Sequence, residues 1–366
     1  LQGSIPSLNV HLQPISDAAS MIRPANLRGL SADSTLITTN GKRRHHASVI
    51  AFQGGGVNDG SQGADISVIP AIALKRVEVL RDGASAQYGS DAIAGVINFV
   101  LDDISEGGSL SYKMGEYTEG DGATSTIAGK FGMPLGQDGF VTTSFQIRQA
   151  DDTSRSLQRP DAAALIAAGN TAVANPAQIW GAPKIDDDVT FFMNAGVTNS
   201  DGSESYMFGN YSERDVDGGF YYRNPDGRSG VFTIGDYRAV GNVDGTCAYG
   251  TGASGQVDPS NYVTRDAIMA DPSCFLMNEI APGGYTPRFV GTITDTSFTT
   301  GRRGEITDGF LSGYSFDVSG SVGRNEADFG LNNTVNPSMG PDTPRNFTTG
   351  SYIELEKTFN FDLQKQ

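Results

Sequence analysis

No stretch of this 366-residue sequence approaches the roughly 18 consecutive apolar residues of a membrane-crossing helix, so no helical span is expected within it. That absence says nothing against spanning strands, which need only alternating apolar residues over about 10 positions. Positive charge is scarce: 26 Lys and Arg stand against 42 Asp and Glu, a net charge of −16. Such a chain is not expected to bind nucleic acid, whose recognition depends on neutralising phosphates. Its one basic cluster, Lys42-Arg43-Arg44-His45-His46, is short and isolated and reads as a solvated hairpin end or domain surface. Histidine is limited to His11, His45 and His46, and nothing resembles a nucleophile elbow or a metalloprotease helix, so no enzyme, cofactor or metal centre is expected. The two cysteines, Cys247 and Cys274, have no further metal ligands at suitable spacing. A single tryptophan, Trp180, gives little support to sugar stacking.

Glycine, by contrast, is abundant at 47 residues, and its most informative use lies between Arg76 and Val100, RVEVLRDGASAQYGSDAIAGVINFV. A charged strand, Val77 to Arg81, runs into a turn at Asp82-Gly83. Tyr88-Gly89-Ser90 follows, and Ala94-Gly95 opens an apolar strand, Val96 to Val100. This stretch resembles the plug signature of the TonB-dependent outer-membrane receptors, whose wording is close to RVEVLRGPxSALYGxxAxGGVINxVT. Two positions depart from it: Asp82-Gly83 replaces Gly-Pro, and Ala94 replaces the first glycine of a pair. Upstream, Ile22 to Leu30, with Arg28-Gly29, resembles the family's IRG strand, and Leu36 to Arg44 resembles its LVLVNGxR hairpin. Asn40-Gly41 between two extended runs is independently a strong two-residue hairpin signal, because a type I′ turn needs positive φ at both positions.

The resemblance implies specific roles. Arg28, Gly29, Asn40, Gly41, Glu78, Arg81, Gly83, Tyr88, Gly89, Gly95 and Asn98 carry the plug signature. Arg28 and Arg81 map to the two plug arginines that pair with barrel glutamates in the family, here expected beyond residue 366. Ligand contact is expected in the apical loop 51–65, from Phe52, Gln53, Asn58, Asp59 and Gln62, beside the mobile triplet Gly54-Gly55-Gly56. In an exported protein, Cys247 and Cys274 read as a disulfide closing a long surface loop. Asp186-Asp187-Asp188 reads as a solvated strand end, with calcium recruitment as an alternative.

After Asp103 the texture changes to alternation. Val189, Phe191, Met193, Ala195 and Val197 share one face, with Thr190, Phe192, Asn194, Gly196 and Thr198 on the other. Ile353, Leu355, Phe359, Phe361 and Leu363 likewise oppose Glu354, Glu356, Thr358, Asn360 and Asp362. Successive strand residues point to opposite faces, so each segment has an apolar and a polar side. Eight such segments are expected, at 107–117, 123–133, 138–150, 187–198, 203–216, 285–304, 312–325 and 351–364. Short turns alternate with long loops near 151–186, 217–284 and 326–350, the pattern of an outer-membrane barrel with its long loops outside. Residues 161–175 are expected to form a short loop helix.

The expected fold is therefore mainly β: a small α/β plug, residues 1–103, followed by residues 104–366 as part of a transmembrane antiparallel barrel. Plugged barrels of this kind have about 22 strands, and eight could not enclose a plug of roughly 13 Å radius of gyration. The sequence is accordingly expected to be part of a longer one, with the leader, the TonB-binding box and later strands lying outside it. The function implied is energised import across the bacterial outer membrane, with TonB as partner. The cargo would be a small molecule or metal chelate such as a ferric siderophore, with outer-membrane lipid and lipopolysaccharide around the wall. A structural or adhesive barrel is the alternative.

Overall fold

The computed structural model describes residues 5–10, 17–51, 56–249 and 257–365. Phe52, Gln53, Gly54, Gly55 and His11 lie outside the described residues.

The N-terminal unit is built on a small mixed sheet. β1 (Leu8–Val10) pairs with β2 (Ala25–Leu27), while β3 (Thr35–Thr39), β4 (Lys42–Arg43), β5 (Leu74–Leu80) and β6 (Gly95–Leu101) form a second sheet in the order β4-β3-β6-β5. The Asn40-Gly41 hairpin is present: Thr39 faces Lys42, and the two turn residues have φ of 49° and 79°. β3 runs parallel to β6, and β5 antiparallel to it. A four-residue helix, α1 (Ser85–Tyr88), bridges β5 and β6. Gly95 starts β6 at φ 147°, and a Cβ there would lie 2.1 Å from the Leu80 carbonyl oxygen, so only glycine lets the two strands meet.

The rest of the chain is dominated by an eight-stranded antiparallel sheet. Its strands are β7 (Gly108–Gly115), β8 (Thr124–Leu135), β9 (Gly139–Ala150), β10 (Lys184–Thr198) and β11 (Glu204–Gly219), then three of 19 residues each: β16 (Arg288–Ile306), β17 (Tyr314–Asn332) and β18 (Phe347–Lys365). They pair in chain order, with β7 and β18 at the edges. Each of the eight alternating segments is one of these strands. The sequence boundaries fall short mainly at the long-loop ends, where β17 and β18 run further than alternation suggested. The apolar faces point away from the N-terminal unit: Phe131, Phe145, Ile147, Val189, Phe191, Tyr211, Phe298, Leu355, Phe359 and Phe361 are all exposed. A continuous exposed apolar belt on one side of an antiparallel wall is what a lipid-facing barrel surface requires.

Short links, 136–138, 199–203 and 307–313, lie at one end of the wall, and long connections at the other. The connection after β9 carries α2 (Pro160–Ala167), shorter than the expected 161–175 helix because Gly169 and Asn170 end it. The longest connection, 220–287, folds on itself. It carries the two-residue strands β12 (Thr233–Ile234), β13 (Tyr237–Arg238), β14 (Gly241–Asn242) and β15 (Cys274–Phe275), and the helices α3 (Tyr262–Met269) and α4 (Met277–Ile280). Cys247 and Cys274 are joined as a disulfide there, beside the buried Ile268 and Leu276.

The N-terminal unit and the wall share their cores. Leu27, Ile37, Ile97 and Phe99 pack with Phe192 of β10 and Phe208 of β11. Met21, Ile22, Ala47 and Val49 pack with Val216, Ile293 and Ala327. The polar face of the wall is thus its inner face, and the N-terminal unit sits on it.

Candidate functional site: the junction with the wall and the cavity above it

Residues 42–48 leave the β3–β4 hairpin and run along the inner face of β11, β16, β17 and β18. Lys42 Nζ lies 3.0 Å from Asp317 and 3.5 Å from Asp362. Arg43 pairs with Asp91 inside its own unit. The Arg44 guanidinium pairs with Asp295 and donates to Asn210 Oδ1 at 2.8 Å and Ser297 Oγ at 3.2 Å. His45 Nε2 is 2.9 Å from the other Asp295 oxygen. Asp295 also accepts from Asn210 Nδ2 at 2.9 Å and Asn325 Nδ2 at 3.0 Å. The backbone N–H of His46 donates to Glu356 at 2.7 Å, and its ring Nδ1 is 2.5 Å from the same oxygen. Ser48 donates from its backbone and hydroxyl to Asn325 Oδ1 at 2.8 and 2.9 Å. Gln62 Nε2 reaches Glu354 at 3.1 Å.

Arg44, His45 and Asp295 are nearly sealed from solvent, with side chains 3%, 4% and 3% exposed. A charge in such a place is tolerable only when paired and hydrogen-bonded on all sides, which Asn210, Ser297 and Asn325 accomplish. The wall makes room for the ring: a Cβ on Gly323 would stand 2.2 Å from His45 Nδ1. At His46, which is partly exposed, the hydrogen bond to Glu356 holds the imidazole pKa above its ordinary value. A second buried tie runs the other way. Arg214 of β11 reaches in to Asp65 at 2.9 Å and the Met21 carbonyl at 2.6 Å, and also bonds Ser67 Oγ. Asp65 caps the turn at Ser67 and accepts from the Arg23 N–H at 3.2 Å.

The basic cluster is not a solvated hairpin end but the principal polar contact with the wall. Its acidic partners on the wall lie some 250 to 320 positions further along the chain, out of reach of a local reading. Arg28 is largely exposed, 3.8 Å from Asp82, and Arg81 is exposed without a hydrogen bond or ion pair among the described residues. Of Asp186-Asp187-Asp188, the first two are exposed at the strand end as expected, and only the third is not. Asp188 is buried 3.8 Å from Arg148, Asp186 pairs with Lys184, and no group of three or more metal-ligating side chains occurs among the described residues. Glu354 and Glu356 line the inner face and meet the N-terminal unit.

The signature residues are mostly structural. Asn98 Nδ2 donates to Glu78 at 2.9 Å, while Asn98 Oδ1 accepts from Thr38 Oγ1 at 2.9 Å and the Gly41 N–H at 2.8 Å, tying β5, β6 and the hairpin. Asn40 accepts from the Leu101 N–H and donates to Asn194 of the wall. Gly29 and Gly89 have positive φ, Gly83 sits under the Ile93 carbonyl, and Tyr88 is exposed. Of the expected ligand contacts, Asn58 is fully buried, bonded to Asn26 and the Ala32 N–H, and holds the loop together instead of facing outward. Gln62 is engaged with Ala47 and Glu354, and Asp59 is exposed.

Towards the long-loop end, a cavity of about 550 Å³ opens between the N-terminal unit and the wall. Ala18, Ala19, Ser48, Val49 and Ile50 form one side, and Phe289, Phe329 and Tyr352 the other. The aromatic side is a stripe across adjacent strands. Ring centroids are 5.4 Å apart for Phe220 and Phe289, 6.4 Å for Phe289 and Phe329, and 4.9 Å for Phe329 and Tyr352. Its size is that of a small-molecule site. Sequence reading missed it because these rings belong to different strands, although each falls on the inner, otherwise polar, face of its alternation.

The TonB-dependent receptor plug domain family matches residues 1–96. The ferric enterobactin receptor of Pseudomonas aeruginosa is 31% identical over 97 residues, 26% of this chain and 13% of that protein. The probable TonB-dependent siderophore receptor PirA of Acinetobacter baumannii is 31% identical over 96 residues, 26% of this chain and 12% of that protein. Among solved structures, a mutant of the Pseudomonas aeruginosa ferric enterobactin receptor aligns over 97% of this chain and 41% of its own, with a TM-score of 0.54 at 15% identity. PirA of Acinetobacter baumannii aligns over 98% and 41%, with a TM-score of 0.51 at 15% identity. The chain thus spans under half the length of these solved relatives, and the sequence matches cover about an eighth of the curated ones. Residues 1–96 thus match the TonB-dependent receptor plug domain family, and the fold shared with these solved receptors extends over the eight strands of wall that follow.

Proposed function

We propose that the protein is an outer-membrane receptor that takes a small molecule or metal chelate from outside and admits it to the periplasm with energy supplied through TonB. It performs no covalent chemistry on its cargo. The long loops and the aromatic cavity face the outside, and the short turns face the periplasm.

One observation supports this reading: beside the two apolar clusters it shares with the wall, the plug is tied to it by a set of buried, hydrogen-bonded polar groups. The run 42–48 meets Asn210, Asp295, Asn325 and Glu356, and Arg214 meets Asp65. Polar partners can exchange with water when pulled apart, whereas an apolar seal would expose its whole area at once. A plug held this way is a low-stability element within a rigid wall, as a gate must be. Ferric siderophores are the expected cargo class, in line with the receptors it resembles.

The test is uptake by cells carrying the full-length gene or its deletion, with iron chelates, cobalamin and oligosaccharides offered separately, before and after collapse of the proton-motive force. Loss of one cargo's uptake both in the deletion and in de-energised cells is the expected result. If no cargo depends on the gene, a structural or adhesive role replaces this account.

A further inference from the structure

Residues 102–107 link β6 of the plug to β7 of the wall, and they are held by different strands from those that hold the 42–48 run. The wall takes three of their backbone carbonyls. Asp102 O accepts from Asn194 Nδ2 of β10 at 3.0 Å, Ile104 O from Thr142 Oγ1 of β9 at 2.8 Å, and Gly107 O from the Gly132 N–H of β8 at 2.8 Å. The Asp102 carboxylate also pairs with Lys130 of β8. Asn194 grips twice: its Oδ1 accepts from Asn40 Nδ2 at 3.2 Å, while Asn40 Oδ1 accepts from the Leu101 N–H at 2.9 Å. The wall leaves a place for the link, since a Cβ on Gly132 would stand 2.4 Å from the Ile104 carbonyl oxygen. Thr142 and Asn194 are 4% and 7% exposed, so water cannot readily replace either donor.

The two attachments differ in kind. The 42–48 run relies on Arg44, His45 and His46 set against Asp295 and Glu356, groups whose hold changes with protonation. The three carbonyls of the link carry no titratable charge. Chain order separates the two as well. A pull applied ahead of the plug loads 42–48 before it loads β6, which is itself paired on one side by β3 and on the other by β5. Resting on the import reading above, we infer that Gly132, Thr142 and Asn194 are positioning residues that keep 102–107 as a fixed pivot. The plug parts from the wall along 42–48, the end of β6 stays seated on β8, β9 and β10, and the plug returns in register from there.

The experiment uses the full-length receptor, purified for hydrogen exchange in mild denaturant and expressed in cells for import. The Leu101 and Asp102 amides are expected to exchange at least about tenfold more slowly than those of His46 and Ser48. Thr142→Val removes a hydroxyl at nearly constant size, Asn194→Leu removes both grips, and Gly132→Ala lifts the link. Each is expected to speed exchange at Leu101 and Asp102 by roughly three- to tenfold, and the Thr142 and Gly132 variants leave His46 and Ser48 unchanged. Thr142→Ser, which keeps the hydroxyl, should restore the slow exchange. In cells, Asp102→Cys with Lys130→Cys is tied by a reducible thiol-specific cross-linker, and import by that variant is compared before and after linking. Equal import in the two states is expected, because the pivot does not open. Exchange at Leu101 and Asp102 as fast as at His46 and Ser48, indifference to the Thr142 and Gly132 variants, or import lost on linking overturns the inference. Absence of import by the unaltered receptor overturns the import reading instead, and the exchange comparison still decides whether the pivot holds.

Discussion

Asp295 is the residue on which the plug's seat converges, since two plug side chains and two wall asparagines meet its two oxygens. Asp295→Asn keeps the shape and removes the charge, leaving Arg44 buried without a counter-ion. Losing one partner of a buried pair costs roughly 3–5 kcal/mol, and that loss should appear as weakened docking of the plug rather than a weakened wall. Hydrogen exchange in the full receptor should then show faster exchange of the 42–48 amides, with the wall strands unchanged. Equal protection in both proteins would remove Asp295 from this role. His46 gives the junction a pH dependence whose sign is fixed. Its pKa is raised when docked on Glu356, with Asp91 and Arg43 also facing the ring. Below the ordinary imidazole pKa of about 6.5 the ring is charged in docked and free plug alike, and the pair contributes fully. That contribution fades as pH rises through the raised docked value. Protection of the 42–48 amides should therefore fall on going from about pH 6 to 8, and this component should vanish in His46→Gln. A protection that rises with pH would contradict the assignment.

Among the elements, the strands were legible and their partners were not. Period-two alternation identifies all eight wall strands because each must present apolar groups to one side and polar groups to the other. The Asn40-Gly41 turn was legible from its chemistry, and Gly95 from the plug signature. Gly95 also supplies a test at this scale. Gly95→Ala drives a Cβ into the Leu80 carbonyl and should separate β5 from β6, destabilising the plug by several kcal/mol. Limited proteolysis of the full receptor should then cut within 74–101 while sparing the wall. The destination of the Lys42–His46 run was not legible, because its partners stand on β16, β17 and β18 and become neighbours only once the wall forms. The same holds for Phe289, Phe329 and Tyr352, each unremarked in its own strand and meaningful only across the sheet. Asn58 misled for the opposite reason: a polar residue in a glycine-rich loop looks outward-facing, yet here it satisfies buried Asn26. The loop 220–287 holds the disulfide inside a small core of its own and leans on the neighbouring loops through Tyr222, Asn224 and Phe232. Replacing both Cys247 and Cys274 with serine should loosen that loop by about 2–4 kcal/mol. The predicted signature is faster proteolysis within 220–287 and an unchanged melting temperature for the barrel.

At the scale of the whole molecule, the wall is extensively paired and apolar outside, while the plug is small, mixed in topology and joined to it by buried polar groups beside two shared apolar clusters. On the import reading proposed above, the plug is a gate seated by residues 42–48 that must leave the wall for cargo to pass. The most direct test ties it in place. Ser48 Oγ lies 2.9 Å from Asn325 Oδ1, so Ser48→Cys with Asn325→Cys places two thiols within reach of a short, reducible thiol-specific cross-linker that ties the plug to β17. In cells expressing the full-length double variant and supplied with the cargo identified by uptake, the cross-linked receptor should bind that cargo but not import it. Reduction should restore import. Undiminished energised import through the cross-linked receptor would contradict the account, because the plug would then have no need to part from the wall at this junction.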